Sequence, residues 1–257
     1  MAENRNSPDL LRAVLVLVAT IGTISFNALA AMGYINGVTP EMVSSKYPTV
    51  LTPAGYAFSI WSLIYFGLVV FSIYQLLPAN RERYRDIRSI YIVSCVLNCG
   101  WIYFWHNDRI AVCLGLIVLL AATLAYLCLK VKATQTPGEL WGVKAPFGLY
   151  AGWVTTASLV NFMVMLSYLG VDMPTGTANM IGIVCIAAAA VFAVLGRVFL
   201  TNYIFPLAVA WGLAAIAIKQ SGNTPIVVAA VIGVVVGLIT AMTFVVNLPD
   251  SESRLRA

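Results

Sequence analysis

The chain has 257 residues, of which 61% are apolar and only 10% charged, and its formal net charge is +5. Its mean hydropathy of +0.90 and sparse charge exclude a soluble domain, in which roughly a quarter of residues are charged. The positive residues form no single patch, so nucleic acid is not an expected partner.

Apolar runs of about 20 residues, long enough to cross a bilayer as helices, recur along the whole chain. A transmembrane barrel would show short alternating segments instead. Eight spans are expected, at 10–33, 54–77, 87–105, 110–130, 144–168, 177–199, 203–218 and 225–246. The fold class is therefore an all-α, multi-pass integral membrane protein whose first partner is the lipid bilayer.

The first span carries "ALA" at 28–30, which resembles a signal-peptidase site behind Arg5 and Arg12. Its apolar run continues to Gly33, longer than the roughly 7–15 residues of a secretory signal core, so a retained helix is expected. The second span opens on "PAGYAFSIWSLIYF" (53–66), where Phe58, Trp61 and Tyr65 recur at helical spacing. The third holds Tyr91, Ser94, Asn98, Trp101 and Trp105, and the fifth Tyr150, Trp153, Asn161 and Tyr168. Residues three, four and seven apart share a helix face. Among the last three spans, the alanine-rich stretch around 186–190 and Gly233-x-x-x-Gly237 allow close helix approach, for packing or dimerisation. Asn202 and Trp211 are the groups there that could join a site.

The cations sort by side. Arg5, Arg12, Arg81, Arg83, Arg85, Arg88, Lys130, Lys132, Lys144, Arg197, Arg254 and Arg256 fall on one side, and only Lys46, Arg109 and Lys219 on the other. The excess of positive residues on cytoplasmic loops puts both termini in the cytoplasm, in what is expected to be a bacterial inner (plasma) membrane.

All acidic residues fall in predicted loops or tails, and no Lys or Arg is placed mid-span. Intramembrane ionisable residues mark proton relays and ion-coupled pumps, so an ion-driven transporter is not expected. Neither an acid/base pair nor a metal triad can form in such a core, so no catalytic and no metal-binding residue is expected, and enzymatic turnover is the least supported reading. His106, the only histidine, reads as part of a tight polar loop with Asn107, Asp108 and Arg109. The five cysteines, Cys95, Cys99, Cys113, Cys128 and Cys185, lie within spans. Their odd number and placement imply packing groups, not disulfides or a metal site.

What the spans retain are uncharged polar residues at one depth. At 1.5 Å per residue, Asn27, Trp61, Asn98 and Asn161 each lie about 9–10 Å below the same, outer surface. Two readings stay open. The amides can be glue between helices, each worth about 0.6–2 kcal/mol, with the aromatics as core filling. The same groups can instead line a mostly apolar pocket with a few directing polar atoms. Trp61, Tyr65 and Trp153 are too deep for an interfacial aromatic belt, whereas Trp105 and Tyr168 at span ends are belt-like.

Three stretches resemble one family. "PAGYAFSIWSLIY" (53–65) resembles the second-helix pattern of the tryptophan-rich sensory protein/translocator protein (TspO/MBR) family, a proline followed by an aromatic and W-x-x-x-Y. "LNCGWIYFW" (97–105) resembles its third-helix element and "LYAGWVTTASLVN" (149–161) its fifth. Leu149 stands where the fifth-helix motif has proline, with Pro146 three residues earlier, and Phe58 to Trp61 is one residue shorter than the usual spacing. The resemblance covers about residues 8–170. It implies that 1–170 form a TspO-like five-helix transmembrane bundle, while 171–257 add three transmembrane helices and a short cytoplasmic tail that the ordinary five-helix family lacks.

The resemblance also implies a pocket near one membrane face between helices 1, 2, 3 and 5, capped by the loop at 34–53, which Pro40, Pro48 and Pro53 stiffen. Family members bind porphyrins, haem and, in some cases, sterols. Photochemical porphyrin breakdown is linked to tryptophans matching Trp61 and Trp153. Carried over by position, the ligand-binding candidates are Trp61, Tyr65, Asn98, Trp101, Tyr150, Trp153, Ala157 and Asn161, and the depth and spacing arguments add Asn27 and Phe58. The expected function is a membrane receptor or sensory protein for a flat hydrophobic ligand, with a porphyrin or haem foremost and no obligatory cofactor. Propionates on such a ligand would need Lys46 or Arg109. A facilitator or exporter of small amphipathic molecules is an alternative, and the sparse polar content of the inner half counts against it. A second alternative is a structural subunit, as a homodimer or within a larger membrane complex.

Overall fold

A computed structural model describes residues 3–133 and 136–243, with side chains from Asp9 onward. The tail residues used in the charge sorting, Arg254 and Arg256, and the side chain of Arg5 lie outside the described residues, as does the end of the last span beyond 243.

The chain runs through α1 (Glu3–Ala31), a short α2 (Pro40–Lys46) in the connecting loop, α3 (Ile60–Tyr74), α4 (Arg88–His106) and α5 (Ile110–Lys130). A single turn α6 (Pro137–Glu139) leads into α7 (Ala145–Tyr168), followed by α8 (Thr175–Val198), α9 (Ile204–Lys219) and α10 (Thr224–Met242). Seven of the described helical stretches are long and apolar enough to cross a membrane, and α9 is a shorter apolar helix. At 16 residues α9 measures about 24 Å, less than the roughly 30 Å of hydrocarbon. The shortfall is tolerated because α9 is packed inside the protein, with Phe205, Ala208, Val209, Leu213 and Ile216 all buried.

Local chemistry sets the boundaries. Thr39 caps α2 by accepting from Met42 N at 3.2 Å, with Pro40 in its first turn. Gly55–Ser59 forms a 3₁₀ turn before α3. Phe58 therefore lies in this turn and Trp61 in the first turn of α3. A π segment, Leu140–Lys144, precedes Pro146, where proline supplies no backbone N–H to the ladder.

The helices contact one another in a closed ring, α1 to α3 to α7 to α5 to α4 and back to α1. A trio of α8, α9 and α10 joins it chiefly through α9 against α7. At that seam a Cβ on Gly152 would overlap the carbonyl oxygen of Phe205 and stand 2.9 Å from Ala208 Cβ. The Gly233-x-x-x-Gly237 face is used inside the chain: a Cβ at Gly237 would meet Pro206 O at 3.0 Å and Ala210 Cβ at 3.1 Å.

Several expectations are corrected. His106 is the last residue of α4 and 2% exposed, its Nδ1 2.7 Å from Ile102 O. The link to α5 takes only Asn107–Arg109, turned by Asp108 at φ 55°, so the helix keeps its histidine. Asp9 and Glu139 are not loop acids. Asp9 lies in α1 and Glu139 in α6, and they are 8% and 7% exposed. Nor is the half of the bundle nearer the basic loops poor in polar groups.

A polar seam runs along α1. At the basic end, fully buried Arg88 donates from Nη1 to Asp9 Oδ1 (2.6 Å), from Nε to Gln75 Oε1 (2.8 Å) and from Nη2 to Arg81 O (2.7 Å). One tier up, Thr20 Oγ1 lies 2.6 Å from both Ser72 Oγ and Tyr91 Oη. A heptad further, Asn27 Nδ2 donates to Asn98 Oδ1 (2.7 Å), and Asn98 Nδ2 donates to Tyr150 Oη (2.8 Å). Thr20–Tyr91 and Asn27–Asn98 share a sequence offset of 71, which makes α1 and α4 parallel neighbours in fixed register.

Two measurements test this packing. Replacing Asn98 by Leu strands the Tyr150 hydroxyl and one Asn27 bond, and is expected to cost about 1–3 kcal/mol in reversible unfolding in mixed micelles; an unchanged midpoint would show that the amide bridges nothing. Gly152→Ala is expected to destabilise by about 1–3 kcal/mol through overpacking. Gly115→Ala in α5, where a Cβ would meet nothing within 4 Å, should be neutral or gain up to about 1 kcal/mol of helix propensity.

Candidate ligand-binding site

Two spaces open beneath the 34–53 loop, and Phe58 and Trp61 line both. The first is a chamber of about 30 Å³, bounded by Phe58, Trp61, Trp101, Trp105, Trp153 and Asn161, with Gly212 and Ile216 of α9 as a further wall. That is the space of about one water, too small for any ring. The second is a groove of about 400 Å³ between α1, α3 and α4, lined by Asn27, Glu41, Phe58, Trp61, Tyr65 and Ile102 among others. Its size falls within the roughly 300–1,000 Å³ of ordinary small-molecule sites.

The aromatics pack on one another. Trp61 stacks with Tyr65 (centroids 5.5 Å apart) and with Trp101 (6.0 Å), and meets Tyr150 (5.8 Å) and Trp153 (6.3 Å) edge to face. Trp101 in turn stacks with Trp105 at 5.9 Å. Trp61 is half-buried, whereas Trp101, Trp105 and Trp153 are 3–4% exposed. The slot inferred from the sequence thus holds the indole of Trp61 itself.

The polar groups are engaged. Trp101 Nε1 donates to Asn161 Oδ1 (3.2 Å), and Asn161 Nδ2 donates to Ala157 O (2.9 Å). Trp105 Nε1 donates to Pro40 O (3.2 Å), fixing the loop to α4. Trp105 is accordingly buried structure and no belt residue: the short α2 folds over the end of α4 and takes it out of the interface. Trp153 Nε1 is buried with no hydrogen-bond acceptor among the described residues.

Of the ten sequence candidates, Asn27, Phe58, Trp61 and Tyr65 line the groove. Phe58, Trp61, Trp101, Trp153, Ala157 and Asn161 line the chamber. Asn98 and Tyr150 line neither; 0% and 2% exposed, they belong to the seam behind. Neither Lys46 nor Arg109 lines either space, and Lys46 is in an ion pair with Asp108. Thr156 and Val160 were missed, although their spacing from Trp153 and Ala157 places them on the same face of α7. Gly212 and Ile216 had no local signal, because only the docking of α9 on α7 brings them to the chamber.

The carboxy-terminal trio holds the site from outside. Trp211 Nε1 donates to Ala57 O (3.1 Å), Ala215 O accepts from Ala54 N (3.0 Å), and Gln220 Nε2 donates to Thr49 O (3.0 Å) and Thr52 O (3.1 Å). Asn202 stitches the two parts at the other end, donating to Lys144 O (2.7 Å) and accepting from Ile204 N and Phe205 N.

Comparison with known protein families gives a match over most of the chain. The model of the TSPO-like protein family matches residues 13–244, past the three motif stretches and through α10. No curated protein and no solved structure matches. With the aromatic and amide elements in order on α3, α4 and α7 and the family match spanning nearly the whole chain, this protein belongs to the TSPO-like protein family.

Proposed function

We propose that the protein binds a flat hydrophobic ligand from the membrane, in the groove between α1, α3 and α4, and acts as a receptor or sensor for it. The carrying observation is the position of Trp61, a half-buried indole that forms the wall between a ring-sized groove and the chamber behind it. Indole and phenol faces give a flat ligand area and stacking geometry, worth about 0.5–1.5 kcal/mol per aromatic pair beyond burial. Asn27 offers the groove its one buried amide, already held by Thr23 O and Asn98 Oδ1. A tetrapyrrole is the ligand to which the family resemblance points. The groove carries no cation for its propionates, so the reading rests on the ring alone.

Titration of the purified protein with protoporphyrin, followed by quenching of tryptophan fluorescence, tests this. Saturable binding is expected, weakened about tenfold or more in Trp61→Ala, in line with the loss of about 1.4 kcal/mol or more of stacking and burial. Absence of saturable binding, or equal affinity in the variant, would sink the proposal.

A further inference from the structure

The lining of the groove contains a single charged residue, Glu41. It sits in the first turn of α2, a helix fixed by the Thr39 cap and by the bond from Trp105 Nε1 to Pro40 O. Its carboxylate lies against the backbone of Gly55, where a Cβ would overlap Oε1. The glycine of the "PAGYAF" stretch thus makes room for the acid beside Phe58, Trp61 and Tyr65. Among the described residues Glu41 has neither an ion pair nor a hydrogen bond to its carboxylate.

The cations of this end are placed elsewhere. Lys46 is bound by Asp108, which also accepts from Tyr47 Oη (3.2 Å). Lys219 borders a separate polar basin together with Asp172. Arg109 is exposed and lines neither the groove nor the chamber. A ligand carboxylate entering the groove would meet a like charge at its mouth and no counter-charge inside. A carboxylate next to aromatic rings is instead the usual surrounding of an organic ammonium, attracted both by the acid and by the negative ring faces.

We propose that the ligand of this groove is a flat aromatic cation, its protonated nitrogen held at Glu41 and its ring body laid along Trp61 and Tyr65. This rests on the flat-ligand reading above and names its chemical class. Ring systems bearing free carboxylates, protoporphyrin among them, bind more weakly than the same rings as neutral esters or amines.

Three tricyclic probes of one shape test it: aminoacridine as the cation, acridine as the neutral form and acridine carboxylate as the anion, titrated by fluorescence against the full-length protein in neutral detergent. The cation is expected to bind about tenfold tighter than the anion, with acridine between them. Glu41→Gln, at an exposed position, should shrink that spread to about twofold while leaving acridine unchanged. Equal affinities in the wild type, or a ranking that survives Glu41→Gln, would overturn the proposal. If protoporphyrin binds and none of the acridines does, the flat-ligand reading stands and this inference falls. If the ranking follows Glu41 but no probe responds to Trp61→Ala, the cation site is upheld and stacking on Trp61 is lost.

Discussion

A polar group in hydrocarbon has no water to turn to, so it must find its partner on a neighbouring helix. In this protein that requirement is met along α1. Asp9, Thr20 and Asn27 each take a partner from α4, and two of the three tiers also recruit α3 or the residue that caps it. The tiers fix the axial register of three helices at once, because a slip of one turn would leave several buried donors and acceptors unpaired together. The register then determines what lies level with what. Trp61 meets Trp101 and Trp153 because α3 and α4 are held by the bonds below them.

Beside the uppermost tier of the seam, stacked and edge-on rings also join the helices, with Asn161 bonded among them. Six aromatics, Phe58, Tyr65, Trp101, Trp105, Tyr150 and Trp153, converge on Trp61 or its neighbours, and the short α2 closes over them through an indole bond to Pro40. Rings that fill the space themselves leave a chamber for one water and a groove beside it. The amides of the seam bond to one another across helices, and one of them also borders the groove. Asn98 and Tyr150 act as glue, while Asn27, in the same network, faces the groove.

How far the sequence reached can be traced residue by residue. Helical period and depth counting brought Asn27, Trp61, Asn98 and Asn161 to one level, and all four lie within one connected cluster of bonds and stacked rings. Both methods depend only on spacing within a helix, so they succeed where the helix is regular. They failed where the chain doubles back. Trp105 was assigned to the interface because its position at a span end says nothing of α2 folding over it. His106 was assigned to a loop because a three-residue connection leaves no sign of how far the helix continues. Asp9 and Arg88 read as loop charges because each is polar alone, and only their pairing makes burial affordable. Gly212 and Ile216 carry no local mark of a site at all.

The attachment of α9 has a mechanical consequence. Two hydrogen bonds, from Ala54 N to Ala215 O and from Trp211 Nε1 to Ala57 O, tie it to the turn that begins α3, at points seven and four residues before Trp61. That turn and α9 therefore move as one piece. A tilt of the carboxy-terminal trio would have to break these two bonds or move the turn that carries Phe58, so the trio and the groove wall are mechanically coupled.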